Sequence, residues 1–319
     1  MRTLLAAALI AGTAAAEPAV VYSVGGKFDG SFNEAAAAGV AAWTARTGAT
    51  VAEFEPRDPG QMAQALRRFA GQGRDPVVAI GFLQASALAE VAPAYPAVRF
   101  AIIDMAVDAP NVLSVVFREH EGAYVVGLLA AMASTSGVIG VVGGMDIPLI
   151  RRFMCGYAQG AKAVKPDIRV LTSFAGDTPA AWADPVRGAE LARDQIARGA
   201  DVVMQAAGGT GLGVLQAAAD AGVLGIGTDS NQNGLHPGRV LTSMRKRLDV
   251  AVQAAFDDWT PGVRSLGLAE SGVDWVLDAH NAALVTEAMR ANALFAAAGV
   301  ANGSIAVHDS AATGSCPYL

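Results

Sequence analysis

The strongest constraint on the fold of this chain is a regular alternation of short apolar segments with longer helix-like segments. The strand-like segments are "DPVVAIGF", "VRFAIID", "GVIGVVGG", "IRVLTSF", "GADVVMQAA" and "GVLGIGTD". Between them lie helix-like segments at 59–73, 147–164, 185–199 and 211–221. Because the strand-like segments show no polar alternation, they predict parallel strands buried on both faces by helices. The sequence therefore predicts an α/β protein.

The alternation runs twice, from Ala19 to about Phe117 and from about Gly137 to Thr242. A chain of 319 residues is about twice the length of a typical domain, so two lobes are expected. The expected boundaries are 17–117 plus about 246–290 for the first lobe, and 118–245 plus part of the C-terminal tail for the second. Ligands of open parallel sheets bind at the carboxyl ends of the strands. We therefore expect a ligand cleft between the lobes.

The composition excludes several classes of protein. Hydrophobic residues make up 53% of the chain and charged residues 16%, which argues for a large core and against disorder. The net charge of −6 and the scattered lysines and arginines provide no basic surface for nucleic acid. The apolar stretch "GAYVVGLLAAMAS" is too short to span a bilayer, so we expect it to form a buried helix.

The N-terminus, "MRTLLAAALIAGTAAAEPA", has the pattern of a secretory signal. Arg2 is followed by an apolar segment at 4–11 and by a small-residue cleavage site near Ala16. No lipobox cysteine follows this site, so we expect a freely diffusing periplasmic protein that is not itself membrane-spanning.

Cys155 and Cys316 are the only cysteines. Export to an oxidising compartment allows one disulfide between them, and two free thiols are the alternative. The four histidines form no close pair and no metal-ligand spacing, so no metal site is expected.

Aromatic and hydrogen-bonding side chains are concentrated just after the predicted strands. These positions are Phe28, Asp29, Ser31, Phe32, Asn33, Phe82 and Asp104 in the first half, and Trp182, Gly208, Gly209, Asp229, Asn231, Ser243, Lys246 and Arg247 in the second. Because strand ends of both sheets border the cleft, these side chains are expected to converge there.

This set of residue types suits a flat, uncharged ligand with a hydroxyl-rich arm. Phe32 and Trp182 could sandwich a heterocycle, each stack contributing about 1–3 kcal/mol. Asp104 and Asp229 could accept hydrogen bonds from vicinal hydroxyls, and charge-assisted bonds are the stronger kind. Lys246 could balance the carboxylates and donate to a sugar oxygen.

Each of these residues also has a purely structural interpretation. Asp29 and Asp184 could be helix caps, Asp229 a turn former, and Lys246 the solvated start of a helix. A phenylalanine near a strand end could belong to the core. The shared position at predicted strand ends favours a common site.

Six motifs in order resemble the basic-membrane-protein family of ABC transporter solute-binding proteins. They are "GGKFDGSFNEAAAAG", "FAIID", "GYAQGAKAVKPDI", "GADVVMQAAGGTGLGVLQAAADAG", "GIGTDSNQN" and "VLTSMRKRLD", and the likeness extends from Val20 to about Val252. The resemblance implies a type I periplasmic-binding-protein fold, with two doubly wound parallel-sheet lobes joined by crossover strands. It also implies a non-enzymatic, monomeric receptor without a cofactor. Such a receptor would bind a nucleoside, typically purine, and deliver it to an ABC permease in the inner membrane.

The resemblance also implies roles for individual residues. Asp29, Phe32 and Asn33 match the cluster that contacts the base, and Trp182 matches the second stacking aromatic, where relatives often carry phenylalanine. Asp104 matches the ribose-binding acid. Further matching positions are Gly208 and Gly209 in the glycine-rich turn, Asp229 at a strand end, and Lys246 in "TSMRK".

Two other functions use the same sequence features. "AAGGTGLGV" follows a strand, and Asp229 comes about 20 residues later, as in a dinucleotide-binding enzyme. The third glycine, however, is Gly213, and the required position holds Val214, which is more typical of a tight turn. No G-x-S-x-G motif is present. An exported α/β enzyme acting on nucleosides is one alternative, and a periplasmic sensor or chemoreceptor ligand-binding protein is the other.

Overall fold

The computed structural model describes residues 16–319. The predicted signal segment, 1–16, lies outside these residues except for Ala16. The strands are β1 (Ala19–Val21), β2 (Ala52–Phe54), β3 (Val77–Ile80), β4 (Phe100–Ile103), β5 (Val112–Phe117), β6 (Val138–Met145), β7 (Arg169–Gly176), β8 (Val202–Ala206), β9 (Leu224–Asp229), β10 (Val240–Lys246), β11 (Gly262–Leu266) and β12 (Val273–Trp275). The α-helices are α1 (Phe32–Thr47), α2 (Gly60–Gly71), α3 (Ala85–Val91), α4 (Glu119–Ala133), α5 (Pro148–Val164), α6 (Pro185–Ala197), α7 (Thr210–Asp220), α8 (Leu248–Asp257), α9 (Glu287–Ala301) and α10 (Ser310–Thr313).

Residues 16–319 form two sheets of six strands each. The first has the order β11-β5-β4-β3-β1-β2, with every neighbouring pair parallel. The second has the order β12-β10-β9-β8-β6-β7 and is parallel except for β12, which runs antiparallel to β10. The two orders correspond strand for strand. The predicted α/β architecture with two parallel-sheet lobes is confirmed, and we call them the first and second lobe.

Strand β3 of the first sheet is apolar throughout because both of its faces are covered. All four residues of β3 are fully buried. Val78 and Ile80 belong to the core cluster on one side of the sheet, and Val77 and Ala79 to the cluster on the other side. The strand lacks polar alternation because neither of its faces is open to solvent.

Three segments connect the lobes within the described chain. They lie between β5 and α4, between β10 and α8, and between β11 and β12. The backbone N–H of Arg118 donates to the Leu266 carbonyl, and that of Arg247 donates to the Gly272 carbonyl, both at 2.8 Å. The connections thus run side by side and are hydrogen-bonded to one another.

The segment after Lys246 divides between the lobes. Helix α8 packs against α1 of the first lobe, and β11 pairs with β5 of the first sheet. Strand β12 instead pairs with β10, placing Trp275 opposite Met244 in the second sheet. The sequence predicts that residues 246–290 belong to the first lobe. Strand β12 is the exception, because it pairs with β10 in the second sheet.

The C-terminal segment is attached to the second lobe by a disulfide between Cys155 of α5 and Cys316, whose Cα atoms are 5.7 Å apart. Helix α4, which contains most of the longest apolar stretch, is buried in this lobe. In the part of the chain that the structure describes, no helix is both long enough and apolar enough to cross a membrane.

Candidate ligand-binding site

A cavity lies between the lobes, at the carboxyl ends of the strands. The predicted site residues that line it are Asp29, Phe32, Asn33, Phe82, Asp104, Trp182, Gly208, Asp229 and Lys246. Residues that line it without having been predicted include Ser23, Leu83, Leu149, Ile150, Phe153 and Thr228. Both lobes therefore contribute to one cavity.

Gly209 does not itself line the cavity. It lies behind Trp182, and a Cβ added at Gly209 would be 3.3 Å from the Trp182 carbonyl oxygen. Two glycines of helix α7 face protein as well, since a Cβ at Gly213 would come within 1.7 Å of the Pro185 carbonyl oxygen. At Gly211 it would come within 2.0 Å of the Gln205 side chain. Close packing against Gln205 and Pro185 favours glycine at these two positions. The glycine pattern is therefore explained without a bound dinucleotide.

Asp29 and Asn33 border the cavity, but their polar atoms are bonded to the backbone of their own loop. The Asp29 carboxylate accepts the backbone N–H groups of Ser31, Asn33 and Glu34 at 2.9–3.1 Å, which caps the start of α1. The Asn33 side chain accepts from the Ser23 N–H at 3.0 Å and donates to carbonyls of the same loop. In this structure the two side chains shape the loop that carries Phe32.

Aromatic rings reach the cavity from both lobes. Phe82 of the first lobe and Trp182 of the second meet edge to face, with ring centroids 5.8 Å apart. The indole lies over Gly144, where a Cβ would be 2.4 Å from the ring, so only glycine leaves room for this orientation. The Trp182 Nε1 atom is buried and has no hydrogen-bond partner among residues 16–319. Phe32 lines the same cavity.

The polar part of the cavity is centred on Lys246, which is only 2% exposed. Its ammonium is 2.6 Å from the Asp104 carboxylate and 3.1 Å from the Glu119 carboxylate. Burial favours the neutral amine, but Asp104 and Glu119 outweigh it and hold the pKa of Lys246 above its usual range. Lys246 is therefore charged, and the interpretation of it as a solvated helix start is wrong.

Two carboxyl groups near Lys246, those of Asp104 and Asp229, have pKa values shifted by burial. Burial raises the pKa of Asp104 to about 7, although the neighbouring Lys246 opposes the rise. Burial likewise raises the pKa of Asp229 to about 6, again against the effect of Lys246. Both carboxyls therefore titrate near neutral pH, where hydrogen-bond donors on a ligand would favour the ionised forms.

Asp104 and Asp229 occupy equivalent places in the two lobes. Asp104 follows β4 and Asp229 ends β9, which are corresponding strands of the two sheets. Both have positive φ, 82° and 70° respectively. Aspartate tolerates this left-handed region better than most residues, and residues held there cluster at functional sites. Each lobe thus supplies one carboxylate with the same unusual backbone geometry.

The lobes also contact each other directly beside the cavity. The Ser31 hydroxyl donates to the Thr228 carbonyl at 3.1 Å and lies 3.2 Å from the Asp229 carboxylate. The Gly30 carbonyl accepts from the side chains of Ser230 and Gln232, at 3.0 and 2.8 Å. The loop that follows β1 is therefore bonded to the loop that follows β9.

Glu119 is a buried site residue that the sequence reasoning missed. It does not line the cavity, but its carboxylate contacts Lys246, and it is 1% exposed. The signal was present in "VVFREHEG", where an acid follows an apolar strand by two residues. The same strand-end rule that selected Asp104 would have selected it.

Two lobes with a shared cavity at their strand ends are the arrangement of the periplasmic-binding-protein fold. A family model for PnrA-like ABC transporter substrate-binding proteins matches residues 16–279. An uncharacterised lipoprotein of Pyrococcus furiosus is 34% identical, over 82% of this chain and 70% of the relative. The ABC transporter nucleoside-binding protein BmpA of Lactococcus lactis is 31% identical, over 82% of this chain and 81% of that protein.

Among solved structures, a solute-binding protein of an ABC transporter system from Aeropyrum pernix K1 matches with a TM-score of 0.83 and 27% identity. The match covers 93% of this chain and 96% of the other. The chain belongs to the family of PnrA-like ABC transporter substrate-binding proteins. This family binds solutes rather than catalysing reactions, and membership implies a small-molecule ligand, a permease partner and an extracellular-facing location.

Proposed function

We propose that this protein is a periplasmic receptor that binds a purine nucleoside between its lobes and delivers it to an inner-membrane ABC permease. The observation that carries the proposal is the pairing, in one cavity, of aromatic rings from both lobes with the Asp104–Lys246 ion pair and Asp229. Such a cavity suits a ligand with a flat apolar face and a hydroxyl-bearing arm.

The aromatic part of the cavity would hold the base. Phe32 and Trp182 come from different lobes, so stacking on both rings would occur only with the lobes together. Each stack contributes about 1–3 kcal/mol. The buried Trp182 Nε1 atom has no hydrogen-bond partner in the described part of the chain and would donate to an acceptor on the base.

The polar part would hold the sugar. Vicinal hydroxyls donate well to carboxylates, and each charge-assisted bond contributes about 1.5–3 kcal/mol. Asp104 and Asp229 would receive these bonds, and Lys246 would donate to a ring or hydroxyl oxygen. Asp29 and Asn33 would act by shaping the loop that carries Phe32, because their own polar atoms are already bonded.

The name of the Lactococcus relative, a nucleoside-binding protein, supports the same ligand class. The disulfide between Cys155 and Cys316 fits an oxidising compartment such as the periplasm. With stacking and sugar contacts together, after the cost of association, affinity is expected on the order of −8 kcal/mol, near micromolar.

The proposal is tested by calorimetry on protein freed of any co-purified ligand. Guanosine, inosine, adenosine and uridine would be titrated, with glucose and free ribose as controls. We expect micromolar binding of at least one purine nucleoside and none of glucose. Binding of glucose with no response to any nucleoside would overturn the proposal, and mass spectrometry of the native protein would identify the ligand carried from the cell.

A further inference from the structure

A series of paired charges leads from the cavity to the C-terminal segment. Glu119 uses one carboxylate oxygen for Lys246 and the other for Arg152, each at 3.1 Å. Arg152 in turn forms two parallel hydrogen bonds with Asp309, at 2.9 and 3.0 Å. It also donates to the Phe117 carbonyl at 3.0 Å. Arg152 and Asp309 do not line the cavity.

The series becomes more exposed with distance from the cavity. The side chain of Glu119 is 1% exposed, that of Arg152 is 21% and that of Asp309 is 31%. A buried carboxylate needs a cation or hydrogen-bond donors to remain ionised. Lys246 and Arg152 are the charged partners that contact Glu119 in residues 16–319.

Arg152 is held in place by the packing of its helix. Helix α5 lies so close to α4 that a Cβ at Gly156 would come within 2.3 Å of the His120 carbonyl oxygen, and one at Gly160 within 1.9 Å of the Tyr124 carbonyl oxygen. The next residue, Phe153, lines the cavity. The disulfide and the caps that Asp309 makes to α10 hold the other end of the series.

We propose that Arg152 and Asp309 are a positioning pair that fixes Glu119, and through it Lys246, beside Asp104 in the ligand cavity. Neither residue is part of the cavity lining. One test of this role rests on the proposed nucleoside site, because it measures nucleoside binding. A second test measures unfolding and needs no ligand.

Charged groups from several elements act on the buried carboxylates. Burial raises the pKa of Asp104, Lys246 lowers it, and the charges of Glu119 and Asp229 raise it further. Burial and the charge of Asp29 raise the pKa of Asp229. His120 of α4 faces Asp309, Arg152, Glu121 and Glu119, and burial lowers its pKa. Arg152 is thus the cation whose removal leaves Glu119 with Lys246 as its charged partner in the described chain.

The test compares Arg152→Met with Arg151→Met, its neighbour on the same helix. Arg151 also pairs with a carboxylate, at 2.7 Å from Asp146, but its side chain is 63% exposed. Without Arg152, Glu119 keeps Lys246 as its charged partner among residues 16–319 and draws the ammonium away from Asp104, which should raise the pKa of Asp104. Because sugar hydroxyls favour ionised carboxylates, the pH midpoint of nucleoside binding should move upward on the order of one unit in Arg152→Met, weakening binding about tenfold near pH 7. Arg151→Met should match the wild type.

Asp309→Asn is a milder variant that retains a residue suited to capping. It should weaken binding about threefold, and Asp309→Glu should restore it. If Arg152 served packing alone, Arg152→Met would lower affinity equally at every pH, leaving the midpoint unchanged, and the positioning role would be rejected.

If the wild type binds no nucleoside, the proposed function fails, but the pair remains testable. The free energy of unfolding of ligand-free Arg152→Met should then fall more steeply with rising pH than that of Arg151→Met. Parallel pH profiles for these two variants would overturn the inference.

Discussion

Replacing Lys246 with methionine is the most direct test of the polar cavity. Methionine is similar in length but uncharged, so the change leaves Asp104 and Glu119 buried without the ammonium they contact at 2.6 and 3.1 Å. Removing one partner of a buried ion pair costs about 3–5 kcal/mol, because a charge remains uncompensated. We expect the free energy of unfolding at pH 8 to fall by about this amount.

The loss should depend on pH, and its direction follows from the raised pKa values. In the folded protein the pKa is about 7 for Asp104 and about 6 for Asp229, against about 4 in an unfolded chain. Carboxyls with raised pKa stabilise the fold below pH 4 and lose that contribution as pH rises through 6 and 7. Without Lys246 both values rise further. The difference between variant and wild type should therefore shrink to about 1 kcal/mol or less near pH 4.

Urea unfolding of ligand-free protein between pH 4 and 8 measures this difference. Lys27→Met is the matched control, since the Lys27–Glu53 contact is also 2.6 Å but both side chains are at least 25% exposed. An exposed pair contributes about 0–1 kcal/mol, so this variant should change little at any pH. A loss at position 246 that is the same at pH 4 and pH 8 would refute the role of Lys246 as the counter-ion of buried carboxylates.

Three further predictions concern ligand binding and the tail. Phe32→Ala and Trp182→Ala should each weaken nucleoside binding at least about tenfold with the far-ultraviolet circular dichroism unchanged; unaltered calorimetric affinity in both would reject the stacking site. Asp104→Asn should weaken a nucleoside more than its free base, because the lost contact is to the sugar, and equal losses in competition assays would reject that assignment. Replacing Cys155 and Cys316 with serine opens a loop with a sequence separation of 161 residues and should lower the free energy of unfolding by about 4–5 kcal/mol; an unchanged urea midpoint would contradict this.

Much of the architecture follows from local sequence. Continuous apolar strands and intervening helices predicted the α/β class, and Asp184 and Pro185 predicted the start of α6, where the Asp184 side chain accepts the Arg187 N–H at 2.9 Å. The ends of parallel strands predicted where the cavity-lining residues would gather. These predictions succeed because periodicity, capping and strand polarity depend on residues that are near one another in the chain.

Other features of the site depend on segments far apart in the sequence. Phe28 and Phe32 both follow β1, yet Phe28 is 81% exposed while Phe32 lines the cavity. The ion pair of Lys246 with Asp104 joins residues 142 positions apart, and the raised pKa of Asp104 follows from burial that several elements create together. The packing of the two lobes alone decides such contacts, because desolvation and charge pairing arise only when distant parts of the chain exclude water from the same place.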